Sequence, residues 1–166
     1  YYPASEKVFE LANTEFYDRL YPVWRDDSLK VEIITELLEK FPQTQWRRTM
    51  YVYLTYSLHE LERTTELQEA LEVFRTSFPG DYLPFYLTAR YFNEDDHELE
   101  IAASFAQKAF HMSSSYPKLN HYPPLEWELE ERFAPVKTAA VLAEIQIKLQ
   151  KHQDAIELLP RVIETN

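Results

Sequence analysis

One glycine, Gly80, occurs in the whole chain of 166 residues. Strand-rich folds draw on glycine at hairpin turns and bulges, where the backbone needs positive φ. A chain this long with a single glycine is therefore expected to be helical. The ten prolines fall mostly between apolar runs, with Pro84, Pro135 and Pro160 expected near helix beginnings or ends, where a missing N–H costs little.

Apolar spacing carries the same message. Ser5 is expected to cap a helix with Val8, Leu11, Ala12, Phe16 and Leu20 on one face, interrupted by Tyr21-Pro22. Asp27 or Ser28 caps the next, with Val31, Ile34, Leu37, Leu38 and Phe41. A long helix follows from Thr44 through Met50, Tyr53, Leu54 and Leu58. Thr65 caps Glu66 to Phe78, Asp81 caps a helix through Phe92, and Glu98 to Met112 is its partner. A short helix is expected from Pro124 to Phe133. The last stretch, Pro135 to Asn166, reads as two amphipathic helices about the hinge Gln150-Lys151-His152-Gln153. Small residues there (Ala139, Ala143, Ala155) let backbones approach, and Leu142, Ile156, Leu159, Val162 and Ile163 fill the gaps. The sum is nine helices and no strand.

That last hairpin resembles a tetratricopeptide repeat, a helix-turn-helix unit of about 34 residues. The matching positions are Leu142-Ala143, Ala155, Leu159 and Val162-Ile163; Gln146 and Gln150 depart from the family's aromatic and small slots. Earlier segments match more loosely. Phe41-Pro42 and Phe78-Pro79 are 37 residues apart, and Ala102, Ala106, Ala109 and Phe110 repeat the second-helix spacing. Ala102 to Ala155 is longer, 53 residues, which points to an insertion at about 113–124. The resemblance implies an all-α fold, an α-α superhelix of antiparallel hairpins, forming one domain over 1–166. An irregular helical bundle is the alternative.

Composition narrows function. A net charge of −11 repels a phosphate backbone, so nucleic acid is not an expected partner. No run of 18 apolar residues exists to span a membrane. Without cysteine there are no disulfides and no thiolate chemistry, and the compartment, bacterial cytoplasm or periplasm, is left open. The chain opens Tyr1-Tyr2, so it is expected to derive from a longer one, by signal-peptide removal or as a cut domain.

The chemical constellations are weak. Glu94 and His97 have the Glu-x-x-His spacing of di-iron bundles, but no second copy exists. His59-Glu60 begins like a zinc-protease helix, but Arg63 stands where the second histidine belongs. Glu126, Glu128, Glu130 and Glu131 flank Trp127 in the manner of paired sugar-hydrolysing carboxylates, yet alternation scatters them over several faces. No enzyme, metal or cofactor is expected.

Aromatics make up 15% of the chain. Tyr51, Tyr53 and Tyr56 cannot all face one way on a helix, so some should line a surface suited to gripping peptides. The repeat resemblance implies a concave groove lined by first helices: Val52, Thr55, His59, Glu62 and Arg63; then Tyr82, Phe85, Ala89 and Phe92; then Lys137, Ala140, Glu144 and Lys148. The lysine-asparagine clamp that some family members use is not expected. The expected function is a non-catalytic protein-protein interaction module or scaffold that takes a partner peptide or protein in this groove. The alternative is a small-ligand binder with an aromatic pocket beside the 113–124 insertion.

Overall fold

The computed structural model describes residues 14–44, 46–114 and 124–163, with side chains described except at 124–131, 159 and 161–163. All regular structure among them is helical: α1 (14–20), a 3-10 turn Tyr21–Val23, α2 (Asp27–Lys40), α3 (Arg47–Glu60), α4 (Thr64–Ser77), α5 (Leu83–Glu94), α6 (Leu99–Ser113), α7 (Pro124–Lys148) and α8 (His152–Ile163). The expected all-α fold with helices packing in neighbouring pairs is observed. Eight α-helices are found among the described residues rather than nine. The expected helix 124–133 and the first helix of the last hairpin are one, because Pro135 lies inside α7 instead of starting a new helix. An interior proline forfeits one main-chain hydrogen bond and crowds the preceding turn, at about 3 kcal/mol. Burial of Ala134, Thr138, Ala139, Leu142 and Ile145 on the same helix offsets it. Pro160 likewise lies inside α8, whereas Pro84 sits in the first turn of α5 as expected.

The chain divides into two compact units, Tyr1–Thr76 and Ser77–Asn166. In the first, α2 packs on α3. Val31, Ile34 and Leu37 of α2, Met50, Tyr51, Leu54 and Leu58 of α3, and Leu67, Leu71 and Phe74 of α4 are buried, each set at three-to-four spacing. The Tyr51 and Phe74 rings stack with centroids 5.3 Å apart. α1 is tied to α2 by a two-pronged Arg19–Glu36 pair at 2.6 and 2.8 Å and by Lys40–Glu15 at 2.6 Å. The cap of α2 is Asp26, one residue before the expected pair, and its carboxylate accepts from the Leu29 N–H at 3.0 Å. Asp26→Ala is therefore expected to cost about 1 kcal/mol, read as a lower denaturation midpoint.

In the second unit α6 packs on both α5 and α7, α7 also meets α5, and α8 closes on α7. Ala102, Ala106, Ala109 and Phe110 of α6 are all buried, at the spacing read from the sequence. Ala102, Ala106 and Phe110 meet Ala139, Leu142 and Ile145 of α7 and Leu158 of α8 in one core. Ala155 is buried, Ala143 is half-buried against the same core, and Ile156 is 56% exposed, its place on the inner face taken by Leu158. Leu159, Val162 and Ile163 lie outside the described side chains. So does most of the 113–124 insertion, since residues 115–123 are not described; Ser113 is the buried end of α6, its Oγ 3.0 Å from Thr138 Oγ1 of α7.

Three hairpin turns share one construction. Glu62, Asp96 and Gln150 have φ of 55°, 50° and 61°. In each case the next residue's N–H reaches a carbonyl five residues back: Arg63 to Leu58 at 3.0 Å, His97 to Phe92 at 2.9 Å, Lys151 to Gln146 at 2.8 Å. This is the left-handed helix stop that glycine usually provides. The first two turns are 34 residues apart (96 − 62) and the next two 54 (150 − 96), so the longer spacing falls where the sequence placed an insertion. The lone glycine is at none of them: Gly80 does not have positive φ, and open space surrounds the position of an added Cβ. Left-handed φ strains a residue with a Cβ by roughly 1–2 kcal/mol. Glu62→Gly should then stabilise the chain by about 0.5–1 kcal/mol net of the added unfolded-state freedom; a lower midpoint in urea would contradict the turn geometry.

Candidate functional site

The first unit holds a pocket of about 340 Å³ lined by Phe16, Tyr17, Leu20, Tyr21, Trp24, Trp46, Thr49 and Tyr53. Six of the eight are aromatic. α1 supplies Phe16, Tyr17 and Leu20; the Pro22 interruption turns Tyr21 and Trp24 about the same opening; α3 supplies Thr49 and Tyr53, with Trp46 just before it. The rings brace one another. Phe16 stacks on Trp46 at 5.4 Å, while Tyr17 meets Trp46 and Trp24 meets Tyr53 edge-on at 5.5 and 5.0 Å. Edge-on and stacked pairs are the favourable arrangements for ring quadrupoles, and they stiffen the walls.

The pocket keeps a large apolar surface wet. Tyr21 is 83% exposed, Tyr17 52% and Trp24 49%. Its polar features are few. Burial pushes the Tyr53 hydroxyl's pKa up, with Tyr17 adding to the rise, so the phenol stays neutral and able to donate. The Trp46 Nε1 is buried with no hydrogen-bond partner among the described residues. Beside the pocket, Lys30 of α2 lies 5.9 Å over the Trp24 ring and 2.6 Å from Asp27 Oδ1. Of the three tyrosines on α3, Tyr51 is in the core, Tyr53 lines this pocket and Tyr56 is 44% exposed.

The groove residues named from the sequence fall into different environments. In α3, Thr55 is fully buried, its hydroxyl donating to the Tyr51 carbonyl at 2.8 Å, while Val52 and His59 are half-buried. Of the two that follow, Glu62 is exposed at the left-handed turn and Arg63 pairs with Glu66 at 2.7 Å. Tyr82, which precedes α5, is 0% exposed, and Phe85 and Ala89 of α5 are 5% and 0% exposed. They belong to the interior, and Phe92 is half-buried against the core with its ring edge-on to His97 at 5.2 Å. On α5 only Glu94 is exposed; Tyr86, Arg90 and Phe92 are half-buried, the first two each one position after the expected Phe85 and Ala89. In α7, Lys137 is half-buried and Ala140, Glu144 and Lys148 are exposed.

The structure brings part of this set together along the α5–α7 seam. Lys137 Nζ lies 5.2 Å over the Tyr82 ring and 5.6 Å over the Tyr86 ring. Glu144 accepts from Asn93 Nδ2 at 3.1 Å, and Lys148 donates to the Asn93 carbonyl and to Asp96 Oδ1 at 2.6 Å. Arg90 holds Glu94 at 2.7 Å. Tyr86, Arg90, Asn93 and Asp96 were not among the groove residues expected from the sequence. Tyr86, Arg90 and Asn93 follow i, i+4, i+7 spacing, but α5 is apolar on so many sides that periodicity does not orient it.

The metal motifs find no support as sites. No group of three His, Asp or Glu side chains among the described residues is placed to hold a metal. Glu94 is engaged by Arg90, and His97 lies 3.7 Å from Glu98. The side chains of Glu126, Glu128, Glu130 and Glu131 lie outside those described. No helix among the described residues is long and apolar enough to cross a membrane.

The fold defines a class, an all-helical protein of consecutively packed helices with a repeated left-handed turn. Compared with protein-family models, curated proteins and solved structures, the chain finds no match.

Proposed function

We propose that this chain is a non-catalytic protein-interaction module whose aromatic pocket in the first unit holds an apolar anchor of a partner peptide. The observation that carries the reading is the convergence of Tyr17, Tyr21 and Trp24, each about half exposed or more, on one ring-braced pocket. Rigid aromatics offer large contact area at low entropy cost, and tyrosine and tryptophan dominate interface hot spots. The α5–α7 seam is the second surface, able to supply charged groups to a bound chain. The repeat-like turns support the kinship to helical-repeat binders that the last hairpin suggests.

The test is selection of binders from a displayed random-peptide library on the wild-type protein, followed by affinity measurement on variants. Tyr21→Ala/Trp24→Ala should weaken the selected peptides by more than about 1 kcal/mol per residue with an unchanged circular dichroism spectrum. Peptides that bind this variant at wild-type affinity, yet lose it on Arg90→Ala/Glu144→Ala, would move the working surface to the seam.

The size of the same pocket favours a second reading as a small-ligand site, since ligand pockets begin at about 300 Å³. Saturable quenching of tryptophan fluorescence by an aromatic fragment, with no peptide selected, would favour it.

A further inference from the structure

A separate cleft of about 350 Å³ opens in the first unit between α2 and α4, over α3. Its walls are regular. α2 contributes Val31, Thr35, Leu38 and Glu39; α4 contributes Glu66, Glu69, Ala70 and Val73; the floor is Tyr51, Leu54 and Leu58 of α3. Each set follows helical spacing over eight or nine residues, about 10–12 Å of trough at 1.5 Å rise per step. The lining is apolar at its centre, and Val73 remains 44% exposed.

The rim is acidic. Glu66 is engaged by Arg63, but Glu39 and Glu69 form no ion pair among the described residues and are exposed. Two uncompensated carboxylates on opposite walls of an apolar trough, in a chain of net charge −11, favour a cationic occupant and disfavour a second copy of this chain.

We propose that this cleft docks a basic amphipathic helix of about two turns, with apolar residues at i, i+3/i+4 and i+7 laid on Tyr51, Leu54, Ala70 and Val73 and flanking lysine or arginine reaching Glu39 and Glu69. The groove is the right shape for one more helix beside α2 and α4, and an amphipathic helix presents its apolar anchors at the spacing the walls already have. This surface is distinct from the aromatic pocket and does not depend on it.

The test uses a fluorescently labelled 14-residue helix of leucine and lysine with that spacing, titrated against the intact chain by anisotropy. A companion peptide carries glutamate in place of each lysine. Saturable binding of the basic peptide and none of the acidic one is expected. Glu39→Lys/Glu69→Lys should weaken binding about tenfold or more, and Val73→Ser, which leaves the charge untouched, by about threefold or more. The control Glu100→Lys/Glu157→Lys makes the same charge change in the other unit and should leave affinity within about twofold at 150 mM salt. Equal loss in the control and in the rim variant would reduce the effect to net charge and overturn the proposal. So would indifference to Val73→Ser, absence of binding, or a wild-type dimer in sedimentation that Val73→Ser dissociates, which would give the cleft to a second copy.

Discussion

The double variant Tyr82→Ala/Phe85→Ala is expected to unfold the Ser77–Asn166 unit rather than merely to lose a partner. Both side chains are interior, at 0% and 5% exposure. Removing a buried aromatic ring costs about 3–5 kcal/mol, from lost transfer energy and from the cavity left behind. Two such losses approach the whole stability of an ordinary domain, about 5–15 kcal/mol. Tyr82 also carries the Lys137 ammonium over its ring, so its removal leaves a half-buried cation without that contact. Loss of helical circular dichroism at 25 °C, or a midpoint shifted far down in urea, is the expected reading. A folded double variant with weakened peptide binding would show instead that these rings serve a groove.

The second large effect is expected from Ala106→Leu. Ala106 is 1% exposed on α6, between Ala89 of α5 and Ala139 and Leu142 of α7 in one core. Small residues at this position set the distance at which α6 sits against both neighbours. Three extra carbons have no space to enter, and overpacking of this kind costs about 1–3 kcal/mol. Ala140→Leu, at an exposed position of α7, is the matched control and should leave the midpoint within about 0.5 kcal/mol. Equal midpoints for the two variants would mean that α6 does not sit in the register described.

The α6 alanines are also where sequence reasoning worked best. Their spacing was legible because one face of α6 is small and apolar and the other is not, so period and burial coincide. The same holds for Val31, Ile34 and Leu37 of α2. α5 offers no such contrast, for a physical reason. Tyr82, Leu83, Phe85, Leu87, Ala89 and Tyr91 are all buried, and a helix that is apolar nearly all round has no stripe to orient it. Phe85 and Ala89 were therefore placed outward, where Tyr86 and Arg90, one position on, are the half-buried side chains. Pro135 was misread because a proline that starts a helix and one that interrupts it have the same local sequence; packing decides which is tolerated.

The sequence by itself determined the helical class, most helix positions and the buried alanine seams. These follow from local terms: the scarcity of glycine, the three-to-four period, and the need to bury one face of each helix. The tertiary structure alone decided the rest. It chose Glu62, Asp96 and Gln150 as left-handed stops; Asp accepts positive φ more readily than most residues, but Glu and Gln accept that strain only where packing on both sides of the turn over-determines it. It also assembled the aromatic pocket, whose rings come from positions 16 to 53, and the acidic-rimmed cleft, whose walls are separated by α3. Neither surface has a local signature, because each exists only once separate helices have been brought side by side.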